Sequence, residues 1–157
     1  MFDDYYHYIT QCLVCSIFYE NTQLTAKKGF CTMTLKAGLC GEATTVVAYE
    51  NTAASVGAGG VEVFGTPMMI ALMENAAWRA VAHSLDEGDV TVGTVVNVRH
   101  LAATPLGQLV RATAELIEID GRRLIFSVEA YDEKRKIGEG QHERFIVNLE
   151  RFIQRID

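Results

Sequence analysis

One stretch limits what this chain can fold into. From Met68 to Ser84 it contains neither Gly nor Pro, and the run Met68-Met69-Ile70-Ala71-Leu72-Met73-Glu74-Asn75-Ala76-Ala77-Trp78 is rich in strong helix formers. Thr66-Pro67 supplies a start, with Thr66 as N-cap and Pro67 at the first helical position. The reading is a helix over 67–84, closed by Asp86-Glu87-Gly88-Asp89. Its first two turns are apolar nearly all round, which predicts a helix enclosed by other structure.

Strands are the only material available to enclose it. Residues 91–101 alternate, with Val92, Thr94, Val96 and Val98 on one side. Thr104-Pro105-Leu106-Gly107 turns the chain into a strand over 108–119, and Asp120-Gly121 signals a hairpin into 122–132. A charged turn, Glu133-Lys134-Arg135-Lys136, leads to a strand over 137–149, and 150–157 read as a short charged tail. Ahead of the helix, 44–49 is β-rich, while 51–60 is a mobile loop of small residues without the GxGxxG spacing of a dinucleotide site. The order β-α-β-β-β-β predicts an α+β domain, with a curved antiparallel β-sheet wrapped around one long central helix. Such a sheet has two edges, and pairing of two subunits is a natural way to cover one.

Composition narrows the function. At 157 residues the chain fits one domain, and 14 basic against 20 acidic residues give a net charge of −6, which disfavours nucleic acid as a partner. No apolar run reaches the ~18–20 residues of a membrane span, so no membrane role is expected. Cys12 and Cys15 form a single CxxC that neither Cys31, Cys40 nor any histidine completes into a zinc site. Reduced thiols, and hence a cytoplasmic protein, are the expectation. Residues 1–32, crowded with Tyr5, Tyr6, Tyr8, Tyr19, Phe2 and Phe18, read as an N-terminal extension ahead of a 33–157 domain, with Met33 a candidate natural start.

Five positions could carry chemistry. Glu74 has Ile70, Ala71, Ala77 and Trp78 at helical spacing, which puts a carboxylate on an apolar face. There it needs a partner or a raised proton affinity, and becomes a candidate base or nucleophile; the plain alternative is a narrow polar stripe carrying it to solvent. His100 ends a strand just before a turn, where an imidazole reaches a cleft mouth or serves structure alone. Thr66 lies at a helix start, whose free N–H groups can hold an oxyanion. His142 and Arg144 share a face of the last strand, with surface pairing as the default and a phosphate contact for Arg144 as the sharper option.

These positions fall within a longer match. Val63-Phe64-Gly65-Thr66, Leu72-Met73-Glu74, Leu85-Asp86-Glu87-Gly88, Gly93-Thr94, His100-Leu101-Ala102-Ala103-Thr104-Pro105, Glu118 to Leu124 and Gly140-Gln141-His142-Glu143-Arg144 run in an order that resembles hot-dog-fold acyl-CoA thioesterases of the fluoroacetyl-CoA type. The resemblance implies a hot-dog fold and a catalytic group of Thr66, Glu74 and His100. It also implies a Gly93 N–H that holds the thioester carbonyl, and Arg144 near the coenzyme A. It further implies acyl-CoA as substrate, a homodimer or higher oligomer with sites at the subunit interface, and no cofactor beyond the coenzyme A of the substrate. No metal is called for, because a thiolate is already a good leaving group. The aromatic lid of the fluoroacetyl type has no counterpart in Ser55-Val56-Gly57-Ala58-Gly59-Gly60-Val61. Two alternatives remain: an acyl-thioester hydratase or dehydratase on the same fold, and a non-catalytic acyl-CoA-binding module.

Overall fold

The computed structural model describes residues 34–156. The 1–32 extension, Met33, Cys12, Cys15 and Cys31 lie outside the described residues. Strand β1 (Cys40–Val46) is followed by a 3-10 turn (Tyr49–Asn51) and the long helix α1 (Thr66–Val81). Four strands come next: β2 (Asp89–His100), β3 (Leu109–Asp120), β4 (Arg123–Tyr131) and β5 (Lys136–Asn148). They form one antiparallel sheet in the order β1-β3-β4-β5-β2. The β3–β4 hairpin turns where Asp120-Gly121 predicts it, with Gly121 at φ +58°, a backbone that glycine adopts without strain. The charged tail differs from expectation in part: Leu149–Ile153 form a short helix, α2, capped by the Asn148 side chain.

One face of the sheet packs on α1. Alternate residues of the central strands, including Val110, Ala112, Ala114 and Leu116 on β3 and Leu124, Phe126, Val128 and Ala130 on β4, are buried there. Helix α1 answers with Met69, Met73, Ala76, Ala77 and Ala80, spaced as one helical face. Enclosure on all sides does not hold among the described residues, since Trp78 on the far side is 44% exposed. The sheet is five strands wide and covers only the side of the helix it touches. The start also moves by one residue: Gly65 is the N-cap and Thr66 the first helical residue, so Thr66 does no capping.

Small residues under the helix set how closely it approaches. A Cβ on Gly41 of β1 would stand 2.2 Å from the Ala76 carbonyl oxygen and 2.5 Å from the Ala80 nitrogen, both backbone atoms of α1. A Cβ on Gly138 of β5 would meet Met69 Sδ at 2.5 Å. The loop ahead of the helix is held by its own polar groups: Asn51 bonds Ala48 N and the Val46 carbonyl, and Gly65 N bonds the Asn51 carbonyl. It also reaches the rest of the domain, where Phe64 N donates to the Thr104 carbonyl.

Gly41→Ala should destabilise the domain by about 1–3 kcal/mol, because α1 cannot retreat without opening its contact with β3. Thermal or urea unfolding would show this, and an unchanged midpoint would mean that the helix has slack over β1.

Candidate active site

The inner face of edge strand β2 carries two of the candidate residues, Gly93 and His100, and it does so through a bulge. Residues seven apart on a regular strand point to opposite faces, so Gly93 and His100 should not share one. In the structure, Gly93 pairs with Arg144 and Val95 with Glu143, which leaves Thr94 as an extra residue. Its hydroxyl donates to the Glu143 carbonyl at 3.2 Å. The inserted residue reverses the alternation. Thr91 and Gly93 therefore face inward together with Val96, Val98 and His100, and the single face expected from Val92, Thr94, Val96 and Val98 is broken at Thr94.

Two groups of polar side chains result. At the helix start, Thr66 Oγ1 and His100 Nδ1 are 2.8 Å apart. Burial holds the imidazole below its ordinary value, opposed by the Ala102 backbone, so His100 is neutral at pH 7. Its Nε2 is buried and has no hydrogen-bond partner among the described residues.

The second group lies two turns further along α1. Glu74 is half-buried, with Oε1 3.4 Å from His142 Nε2 and directly above Gly93, where a Cβ would come within 2.3 Å of that oxygen. Glu74 thus faces the sheet, and its partner is an imidazole. His142 and Arg144 are both buried, so surface pairing does not describe them. Arg144 donates through Nε to Thr91 Oγ1 (2.9 Å), through Nη2 to the Thr91 carbonyl (2.8 Å) and through Nη1 to His142 Nε2 (3.2 Å). The outward residue between them, Glu143, takes the surface pairing instead, in a two-point contact with Arg123 (2.7 Å twice).

The structure brings Thr66 to His100 and Gly93 to Glu74, but it keeps the two pairs apart. Eight helical residues separate Thr66 from Glu74 by about 12 Å along the axis. Gly93 and His100 lie roughly 20 Å apart along β2. Thr91 is the participant that sequence reasoning passed over, and His142, read there as a surface residue beside Arg144, is the one whose place it misjudged. The signal for His142 was its place in the alternating set Gly138, Gly140, His142, Arg144, Ile146. An outer-face depression of about 470 Å³, lined by Asn97, Arg99, Ser127, Glu129, Glu139 and Gln141, contains none of the candidate residues.

A curved antiparallel sheet over one long helix, with a carboxylate and an imidazole on its inner face, defines a hot-dog domain of the thioesterase class. Residues 47–150 match the family described as FlK, fluoroacetyl-CoA-specific thioesterase. A fluoroacetyl-CoA thioesterase from Streptantibioticus cattleyicolor is 48% identical over 91 residues, covering 58% of this chain and 66% of the relative's length. A solved structure of the fluoroacetyl-CoA thioesterase FlK superposes with TM-score 0.74 at 38% identity, over 79% of this chain and 96% of that one. A Thermus thermophilus thioesterase-superfamily member gives 0.70 at 32%, over 77% and 92%. The chain belongs to the fluoroacetyl-CoA-specific thioesterase family, a family of acyl-CoA thioester hydrolases.

Burial lowers the proton affinity of both His100 and His142 in the folded state. Unfolding returns each to about 6.5, so just below that pH the unfolded chain binds more protons. Stability is therefore full above about pH 6.5 and falls as the pH drops, before the carboxylates titrate near about 4.5. Melting curves from pH 7.5 to 5.5 should show a falling Tm, with a shallower slope in His142→Asn. A flat Tm would contradict the burial of both rings in neutral form.

Proposed function

We propose that this protein hydrolyses an acyl-CoA thioester to the free acid and coenzyme A, at sites built from Thr66, Glu74 and His100 and completed across a homodimer. The observation that carries this reading is the division of the inner face into two half-sites at opposite ends of β2. β2 is an edge strand of 12 residues, with Val95 and Val96 exposed near its middle. Antiparallel pairing of two β2 edges about a two-fold axis at Asn97, with Thr94 again the extra residue, sets Gly93 of one copy opposite His100 of the other. The Glu74 group and the Thr66–His100 pair then meet across the interface.

In such a site Glu74 attacks the thioester carbon or activates a water against it. The free Nε2 of neutral His100 faces the departing sulfur and handles its proton, with Thr66 fixing the ring through Nδ1. The Gly93 N–H stabilises the oxyanion, and the bulge beside it supports this role by breaking regular ladder pairing there. Arg144, inside the sheet, supplies positive charge beneath the site where the acyl-CoA arrives. The acyl group is not restricted to fluoroacetyl, because the stretch from Ser55 to Val61 offers no aromatic cover. With coenzyme A carried on the substrate, no separate cofactor is used. The cytoplasm is the compartment that fits this chemistry.

Free-thiol release from acetyl-, fluoroacetyl-, aryl- and crotonyl-CoA should be abolished, to about 10²-fold or lower, in Glu74→Gln with the fold intact. Loss of the crotonyl absorbance without thiol release would indicate a hydratase. Binding of every thioester without turnover would indicate a binding module.

Co-expression of Glu74→Gln with His100→Ala tests the shared site. Each variant alone should be inactive, and the mixture should regain about a quarter of wild-type turnover, since half the dimers carry one intact site. No recovery would place each site within one chain.

A further inference from the structure

Thr91 takes no part in the mechanism above, yet it holds the buried charge nearest the candidate carboxylate. The Thr94 bulge puts Thr91 on the inner face with Gly93, and the residue is buried there. Its Oγ1 accepts from Arg144 Nε at 2.9 Å, and its carbonyl oxygen accepts from Arg144 Nη2 at 2.8 Å. The third guanidinium nitrogen, Nη1, donates to His142 Nε2 at 3.2 Å. That ring is itself fixed: its Nδ1 is 2.9 Å from the Val95 carbonyl oxygen, and it stacks on Phe126 with centroids 6.4 Å apart. A carbonyl only accepts, so the hydrogen is on Nδ1 and the single lone pair of Nε2 goes to Arg144. Each nitrogen of the guanidinium is thus committed to Thr91 or His142.

Glu74 reaches the same imidazole nitrogen without bonding to it. Its Oε1 is 3.4 Å from Nε2 and lies over Gly93, the residue paired with Arg144 across β2 and β5. Carboxylate and guanidinium flank one nitrogen, which puts them about 7 Å apart or less, and among the described residues they form no ion pair. An arginine in direct contact with a carboxylate meets it with two parallel hydrogen bonds, which occupy both oxygens and weaken them as bases. Here the charge is near enough to favour the ionised carboxylate and too firmly held to cover it.

We propose that Thr91 is a positioning residue for Glu74: by holding the Arg144 guanidinium on its hydroxyl and carbonyl, it keeps that group from pairing directly with Glu74. This rests on the Glu74 site proposed above. It holds whether Glu74 attacks the thioester carbon or activates a water, since either needs an uncovered oxygen lone pair. The hydroxyl is the removable half of the hold, because any residue at 91 carries the carbonyl. Without it, Arg144 Nε loses its acceptor inside the sheet, and the Glu74 carboxylate is the charged acceptor nearby.

Among the described residues, Arg144 and His142 of β5 are the titratable groups that face Glu74. Thr91 and Gly93 of β2 do not titrate, and Arg79, the other charged side chain of α1, bonds the Glu42 carbonyl of β1. In the dimer proposed above, His100 of the second copy joins them. Burial keeps both imidazoles neutral at pH 7. It also pulls the proton affinity of Arg144 below the ordinary guanidinium value, with Glu74 opposing, and the group stays charged. Arg144 is therefore the charge that decides where Glu74 titrates. Drawing it onto the carboxylate lowers the proton affinity of Glu74 and its strength as a base together.

The test measures kcat and KM for acetyl-CoA in wild type, Thr91→Val, Thr91→Ser and Glu74→Gln, with a 13C NMR titration of the Glu74 carboxyl, identified by its absence in Glu74→Gln. Thr91→Val removes the hydroxyl and keeps the carbonyl, whereas Thr91→Ser keeps both. We expect Thr91→Val to lose about tenfold in kcat with KM within about twofold, and its Glu74 to titrate about one pH unit lower than in wild type. Thr91→Ser should match wild type in both. Wild-type kcat or an unmoved Glu74 titration in Thr91→Val, beside an inactive Glu74→Gln, would overturn this inference alone, as would a Thr91→Ser no better than Thr91→Val. Wild-type turnover in Glu74→Gln would overturn the site assignment and this inference with it. A crystal structure of the wild type with the Arg144 fork on Glu74 overturns it even if Thr91→Val does not fold.

Discussion

Helix α1 lies as close to the sheet as it does because three strands place glycine where it comes nearest. Gly41 meets the helix backbone at Ala76 and Ala80, Gly138 receives Met69, and Gly93 leaves room for the Glu74 carboxylate. A side chain at any of these positions would lift a different part of the helix. The contact thus fixes the depth of the core, and at its two ends it also fixes where Thr66 and Glu74 stand over β2. Packing and the placement of polar groups are one constraint here, since close approach brings the Glu74 oxygen over Gly93 and to a buried imidazole.

The polar cluster below Glu74 shows how a charge is kept inside this small domain. Arg144 is buried with its fork spent on Thr91 and His142, so its donors are largely satisfied, and its charge is answered by Glu74 across the histidine. Removing one partner of such a group leaves another buried and unpaired, which costs more than the net worth of the contact. The outer face of the same strands follows the opposite rule. There Arg123 and Glu143 pair at the surface, where screening makes the pair worth little.

Much of this was legible in the chain. The helix followed from a run of helix formers, the hairpin from Asp120-Gly121, and the four later strands from alternation, each to within a few residues. Less legible were features that depend on a neighbour. Thr66 reads as a cap because Thr before Pro usually is one, yet Gly65 takes that position and leaves the hydroxyl for His100. The helix reads as enclosed, yet one sheet of five strands does not reach its far side, where Trp78 is exposed.

By itself, the sequence determined the elements, their β-α-β-β-β-β order and the class of fold, because periodicity and local motifs act within a few residues, and its ordered motifs carried the resemblance to the family. Tertiary structure decided which residues meet. Alternation alone would set Gly93 and His100 on opposite faces; the extra residue at Thr94 reverses the parity and turns both inward. That bulge exists only in the pairing of β2 with β5. The burial of His142 and Arg144 likewise depends on their facing Thr91 and Glu74, residues about 50 to 70 positions away along the chain.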